Sequence, residues 1–175
     1  MDRFDKVSIA VLMALGIASA VVIMGHRGAA RPDRNMVQRM AAQEDPAART
    51  ELEGAGNLMR NLLEAGNFVQ AETLIGELIR KHPYRGEPRM FMGDLLMRKQ
   101  DPVRAMHEYK QAIDLNPDYL DKKTPLFQGK KLKVAVGEAL IEIENRIKKG
   151  PGDEALKREK KELYYFYRRI AGSCG

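Results

Sequence analysis

Residues 101–117 read DPVRAMHEYKQAIDLNP, and residues 67–83, thirty-four positions earlier, read NFVQAETLIGELIRKHP. In the later stretch Ala105, Tyr109, Ala112 and Ile113 recur at steps of three and four. That is the spacing of one helix face, and Asn116-Pro117 ends it. A single amphipathic helix cannot bury its apolar face alone, so the stretch needs a partner. The earlier stretch repeats the pattern in register: Ala71 matches Ala105, Ile79 matches Ile113, and Pro83 matches Pro117. At the same offset Leu58 and Leu62 match Met92 and Leu96, and Asn67 matches Asp101. Six matches at one constant offset mark an internal repeat.

Each unit reads as a helix, a short turn and a second helix stopped by proline. The turns are EAGNF (64–68) and RKQDP (98–102), with Gly66 suited to a left-handed helix end and Asn67 or Asp101 suited to cap the second helix. A third step of the offset reaches Leu126, Ala139, Ile143 and Pro151, but KKLKVAVGEALIEIENRIKKG (130–150) contains no breaker. Leu132, Val136, Ala139, Leu140, Ile143 and Ile147 form one stripe, so a linker at 120–125 leads into one long helix over about 127–149. Gly150-Pro151 stops it, and a last helix spans about 153–171. Terminal units of a helical stack are commonly atypical because they shield the last apolar face.

Over residues 50–119 the pattern resembles the tetratricopeptide repeat. Gly93, Ala105, Tyr109, Ala112 and Pro117 fill that family's small, alanine, aromatic, small and proline positions in the second unit. In the first unit Gly66, Asn67, Phe68, Ala71 and Pro83 match, while Met59, Ile75 and Leu78 depart, and Ala55 and Arg89 replace the usual tryptophan. The resemblance implies an α-solenoid whose first helices line a concave groove for a peptide or protein segment. By position that groove holds Glu53, Gly56, Arg60, Leu63 and Glu64, then Glu87, Met90, Asp94, Met97 and Arg98. The family's carboxylate clamp is not expected, because Gly56 and Arg60 stand where lysine and asparagine are required.

The N-terminus has another character. VSIAVLMALGIASAVVIM, residues 7–24, carries no charge in 18 positions. As a helix it would cover roughly 27 Å, close to the hydrocarbon thickness of a bilayer. An uncleaved anchor is one reading; a signal peptide cut after Ala18-Ser19-Ala20 or Gly28-Ala29-Ala30 is the other. The anchor leads to single-pass placement in a bacterial inner membrane. Arg3 and Lys6 lie before the segment and Arg27, Arg31, Arg34 and Arg39 after it, which leans toward a cytoplasmic domain without deciding the side. Residues 25–48 read as a tether with a short helix near 36–42, after a tail at 1–6.

The net charge of +6 is uneven: residues 120–175 hold 14 basic against 8 acidic side chains. A solvated lysine-rich face accounts for this, and an anionic lipid or nucleic-acid partner is the alternative. Within KREKKELYYFYRRIAGSCG (157–175), four consecutive aromatics span more than one face. Tyr164, Tyr165, Tyr167, Arg168 and Arg169 are therefore candidate interface residues, with the arginines free to stack on the rings. Leu163, Phe166 and Ile170 are the candidates for capping the stack.

Catalytic chemistry is not expected. His26, His82 and His107 are scattered, the lone Cys174 has no partner, and no hydrolase, metalloprotease, phosphate-loop or dinucleotide motif is present. No cofactor, metal or small-molecule substrate is called for. The expected fold is all-α: an N-terminal transmembrane helix (7–24), a short TPR-like α-solenoid (49–119) and C-terminal capping helices (120–171), with a tail at 172–175. The expected role is that of a membrane-anchored adaptor holding a protein partner, in the assembly of an envelope or respiratory complex or as its small subunit. A secreted chaperone released by signal cleavage is a weaker option.

Overall fold

The computed structural model describes residues 46–174. Among them stand six α-helices: α1 (Pro46–Glu64), α2 (Phe68–Lys81), α3 (Glu87–Arg98), α4 (Pro102–Leu115), α5 (Gly129–Lys149) and α6 (Glu154–Cys174), with a short 3-10 helix at Pro117–Leu120. Each helix packs on the next, and α1 also packs on α3, so the helices stack as three successive hairpins. The offset read from the sequence is structural. The helices α2 and α4 each run 14 residues and begin 34 residues apart.

The two intra-unit turns are geometrically equivalent. At the end of α1, Gly66 takes φ +73°. Its N–H donates to Leu63 O (3.3 Å) and the Asn67 N–H donates to Leu62 O (2.9 Å). At the end of α3, Gln100 takes φ 59°, and the corresponding donations run from Gln100 to Met97 O (3.1 Å) and from Asp101 to Leu96 O (2.9 Å). Both are paired closures in which two orphan carbonyls of a helix end are satisfied at once. Only the second turn gains a side-chain cap, from Asp101 Oδ1 accepting the Arg104 N–H at 3.2 Å. Asn67, expected to do the same, makes no such bond.

The core divides in two. The larger cluster joins α3 to α6 around Tyr109, Ile113, Leu132, Val136, Ile143, Phe166 and Ile170. The smaller gathers Met59, Ala71, Ile75 and Leu95. Ala71, Ala105 and Ala112 are fully buried, as close helix approach requires. The two units solve one packing problem differently. In the second, Gly93 leaves room for the Tyr109 ring, which an added Cβ would strike. In the first, the equivalent positions hold Met59 and Ile75, both buried in the same cluster. Volume moves from one helix to the other across the seam. At the end of the second unit, Gly86 lets Tyr119 close over the stack: a Cβ there would stand 2.8 Å from the Tyr119 ring.

The stripe expected on the long helix is the one buried: Leu132, Val136, Ala139 and Ile143 are fully enclosed in α5. The capping residues Leu163, Phe166 and Ile170 are likewise buried in α6. Polar contacts bind α6 back to α4: a hydrogen bond between Glu159 and the His107 ring (2.9 Å), and ion pairs of Glu162 with Lys110 (3.7 Å) and Arg169 with Asp114 (3.3 Å).

Two expectations require correction. The transmembrane helix at 7–24 lies outside the described residues, as do the tail, nearly all of the tether and its short helix. Among the described residues no helix is long and apolar enough to cross a membrane. The physical reason is plain in α5 and α6, 21 residues each, where charged side chains recur along the whole length and the buried apolar ones form a single stripe. The fold described is therefore an all-α stack of helices, and the membrane-anchored, inner-membrane placement is not carried forward. The repeat-family architecture fails too. Only one unit bears the full small–aromatic–small pattern, and α5 runs unbroken where a third unit would turn.

Candidate functional site

The first helices of the hairpins, α1, α3 and α5, line one side of the stack and enclose a concave groove of about 1550 Å³. Leu52, Met59 and Leu63 of α1 and Phe91 and Met97 of α3 supply apolar lining. Lys131, Val134 and Ala135 of α5 form the third wall, with Pro125 and Leu126 of the preceding loop. At Gly56 the missing side chain brings α1 close over Phe91; an added Cβ would stand 3.2 Å from Cζ of the ring.

Of the groove residues expected from the sequence, Glu53, Gly56, Arg60, Leu63, Glu64, Glu87, Asp94, Met97 and Arg98 all line this concavity. Met90 does not. It is buried at 5% exposure in the larger core cluster, because α3 is covered on more than one side. Sequence reasoning missed Phe91 and the α5 wall. Phe91 lies four residues after Glu87 and three before Asp94, so helical spacing alone places it on the groove face. Val134 stands outside the buried stripe of its helix, which marks it as exposed but does not place it in the groove.

The charges are mostly engaged. Arg49 pairs with Glu53 at 3.0 Å, and Arg85 with Glu87 at 3.2 Å. Lys131 pairs with Asp94 at 2.8 Å. Asp94 also accepts from the Tyr109 hydroxyl at 2.6 Å, while Lys131 sits 5.4 Å from the Tyr109 ring centre. Burial first, then the adjacent Asp94 charge and hydrogen bond, push the Tyr109 phenol far above its ordinary range. Asp94 is thus a structural strut as well as a groove residue. Arg60, Arg98 and Glu64 enter no ion pair among the described residues and remain available at the surface of the groove.

On α6 the candidate residues divide. Tyr165 is 73% exposed and Tyr164 40% exposed, whereas Tyr167 is half-buried against the core. Arg168 and Arg169 are exposed, and Arg169 is held by Asp114. The cation stacked on a ring is Lys160, 5.7 Å from the centre of Tyr164, in place of the arginines expected there. His82 closes the end of α2, its backbone N–H donating to Leu78 O at 2.8 Å and its ring meeting Glu51 at 3.1 Å. His107 faces Glu159 across the α4–α6 seam. His26 lies outside the described residues. No group of histidine, cysteine and carboxylate side chains able to hold a metal occurs among the described residues.

No protein family, curated protein or solved structure matches this chain. The tetratricopeptide resemblance is corrected accordingly: the 34-residue offset relates two parts of this chain to each other and does not place the chain in that family, nor does a membrane-anchored adaptor role derive from it.

Proposed function

We propose that the groove across α1, α3 and α5 binds a polypeptide segment of another protein, and that the chain acts by binding rather than by catalysis. The observation that carries this reading is the groove's size and make-up. At about 1550 Å³ it exceeds the roughly 300–1,000 Å³ of small-molecule sites. Its lining combines apolar side chains with four charged groups that enter no ion pair among the described residues: Arg60, Glu64, Arg98 and Asp118. An apolar floor gives a peptide its affinity, and unpaired charges give it direction and register. Met97, partly exposed among the lining residues, adapts to varied apolar shapes.

The test is a photo-crosslinking amino acid placed in the full chain at Glu53 or Asn57, with Thr73, exposed on α2 and not part of the groove lining, as the control. The groove positions are expected to capture a polypeptide that Thr73 does not. Combining Arg60→Glu with Arg98→Glu should abolish that capture while leaving the melting temperature in place. Equal labelling from Thr73, or capture that survives the double charge reversal, would overturn the reading.

A further inference from the structure

The last unit of a helical stack normally turns a polar face outward, because nothing further covers it. Here that face is partly apolar. Ile141 on α5 is 64% exposed, and Tyr165 and Tyr164 on α6 are 73% and 40% exposed. The contacts between the two helices place these side chains together. Glu144 of α5 meets Lys160 of α6 at 2.8 Å and accepts from the Tyr164 hydroxyl at 3.4 Å, which sets the register of the pair. Ile141 lies one turn before Glu144 and so stands near Tyr164 at the furrow between α5 and α6, while Tyr165, about 100° further round α6, stands on the outer face of that helix.

Positive charge lines the outer face of α6 beside them. Leu163, Phe166 and Ile170 face the core, which puts Arg158, Lys161, Tyr165 and Arg168, at steps of three, four and three, on the opposite side of α6. All four are exposed. Arg158, Lys161 and Arg168 stand in no ion pair among the described residues. The carboxylates nearby are already engaged: Glu144 by Lys160, Glu154 by Lys157 and Glu162 by Lys110. Glu138, one turn before Ile141, lies on the flank of α5 away from α6 by helical angle. The face therefore presents aromatic and aliphatic side chains together with cations that enter no ion pair among the described residues.

We propose that this end face docks an acidic amphipathic helix of a partner protein. Its apolar side rests on Ile141, Tyr164 and Tyr165, and its carboxylates meet Arg158, Lys161 and Arg168. A helix fits because this is where the next member of the stack would pack, against the furrow between α5 and α6. The uncompensated cations call for an acidic partner, and exposed tyrosine and arginine are the side chains that anchor such contacts. The surface is separate from the groove, so the two sites succeed or fail independently.

The test uses the full chain and a fluorescent synthetic amphipathic helix with leucines on one face and glutamates on the other, against a twin carrying lysines in place of the glutamates. The glutamate probe is expected to bind and to weaken with added salt, while the lysine probe does not bind. Tyr165→Ala with Ile141→Ser should weaken binding at least tenfold. Lys161→Glu with Arg168→Glu should exchange the preference in favour of the lysine probe. Arg60→Glu with Arg98→Glu, in the groove, should change nothing here. The proposal is overturned if the glutamate probe fails to bind, if both probes bind alike, or if the α6 charge reversals leave the preference unmoved. It is also overturned if these variants instead abolish self-association in sedimentation, or binding to phosphatidylserine vesicles or an oligonucleotide, with no effect on the peptide.

Discussion

The hydroxyl of Tyr109 donates a 2.6 Å hydrogen bond to Asp94 Oδ1, and Lys131 holds the same carboxylate at 2.8 Å. One side chain on α3 thereby secures α4 and α5 beneath the groove. Asp94→Asn keeps the shape and removes the charge, so it should cost about 1 kcal/mol of stability, discounted because the carboxylate is one-third exposed. Asp94→Lys should cost more, since it sets two cations against each other. Urea denaturation of both variants checks this; equal stability would show that the strut carries no energy.

Gly93 and Tyr109 should behave as one packing unit. Gly93→Met drives a side chain into the Tyr109 ring, and Tyr109→Ile leaves a void, each costing about 1–3 kcal/mol or more. The double variant copies the arrangement that Met59 and Ile75 already adopt one unit earlier. It should therefore recover part of the loss, and a double-mutant cycle should return a coupling of about 1 kcal/mol or more. An additive cycle would mean that the two units are not equivalent in packing.

Gln100 holds a left-handed conformation that its equivalent, Gly66, adopts without steric cost. Gln100→Gly should raise stability by about 0.5–1 kcal/mol, and Gly66→Ala should lower it by about 1 kcal/mol. Thermal melts of the two variants should move in opposite directions.

Tyr109 and Tyr119 set the alkaline limit. Burial is the largest cause in both cases, then the charge of Asp94 for Tyr109 and of Glu87 for Tyr119, and both phenols are pushed upward from 10.0. A raised folded-state value means that the stability is fully present below pH 10 and is lost as pH rises above it, when only the unfolded chain gives up these protons. Tyrosinate absorbance from these two rings should therefore appear together with the loss of helical circular dichroism. Their ionisation ahead of unfolding would contradict the burial described for them.

Much of this architecture is legible in the sequence. Gly66 announces its own turn, Asp101 its cap, and the steps of three and four in 101–117 and 130–149 name the buried faces of α4 and α5. The helix α3 is harder because it is covered on two sides: Leu95 joins the smaller cluster and its neighbour Leu96 the larger. With adjacent residues both buried, no single stripe exists, and Met90 reads as groove when it is core. Gln100 conceals a left-handed turn because nothing in a glutamine marks one. The groove face of α1 and α3 can be had from position in the repeat. The α5 wall cannot, since Lys131 and Val134 reach it only through tertiary placement. The family attribution fails because five matched positions in one unit express a general way of packing two helices.

The divided core also has a thermodynamic consequence. Among the described residues, four side chains are buried in the cluster that ties α1 and α2 to α3, against seventeen in the other. The α1–α2 hairpin is therefore the segment with the smallest free energy of local opening, and its amides should exchange with solvent while those of α4 to α6 stay protected. Because α1 forms a wall of the groove, opening dismantles the site. Mass action then couples the two: a ligand at a hundredfold excess over its Kd adds about 2.7 kcal/mol to the cost of opening. An occupied groove would thus be reported by slower exchange in the hairpin alone, with no change of shape anywhere in the stack.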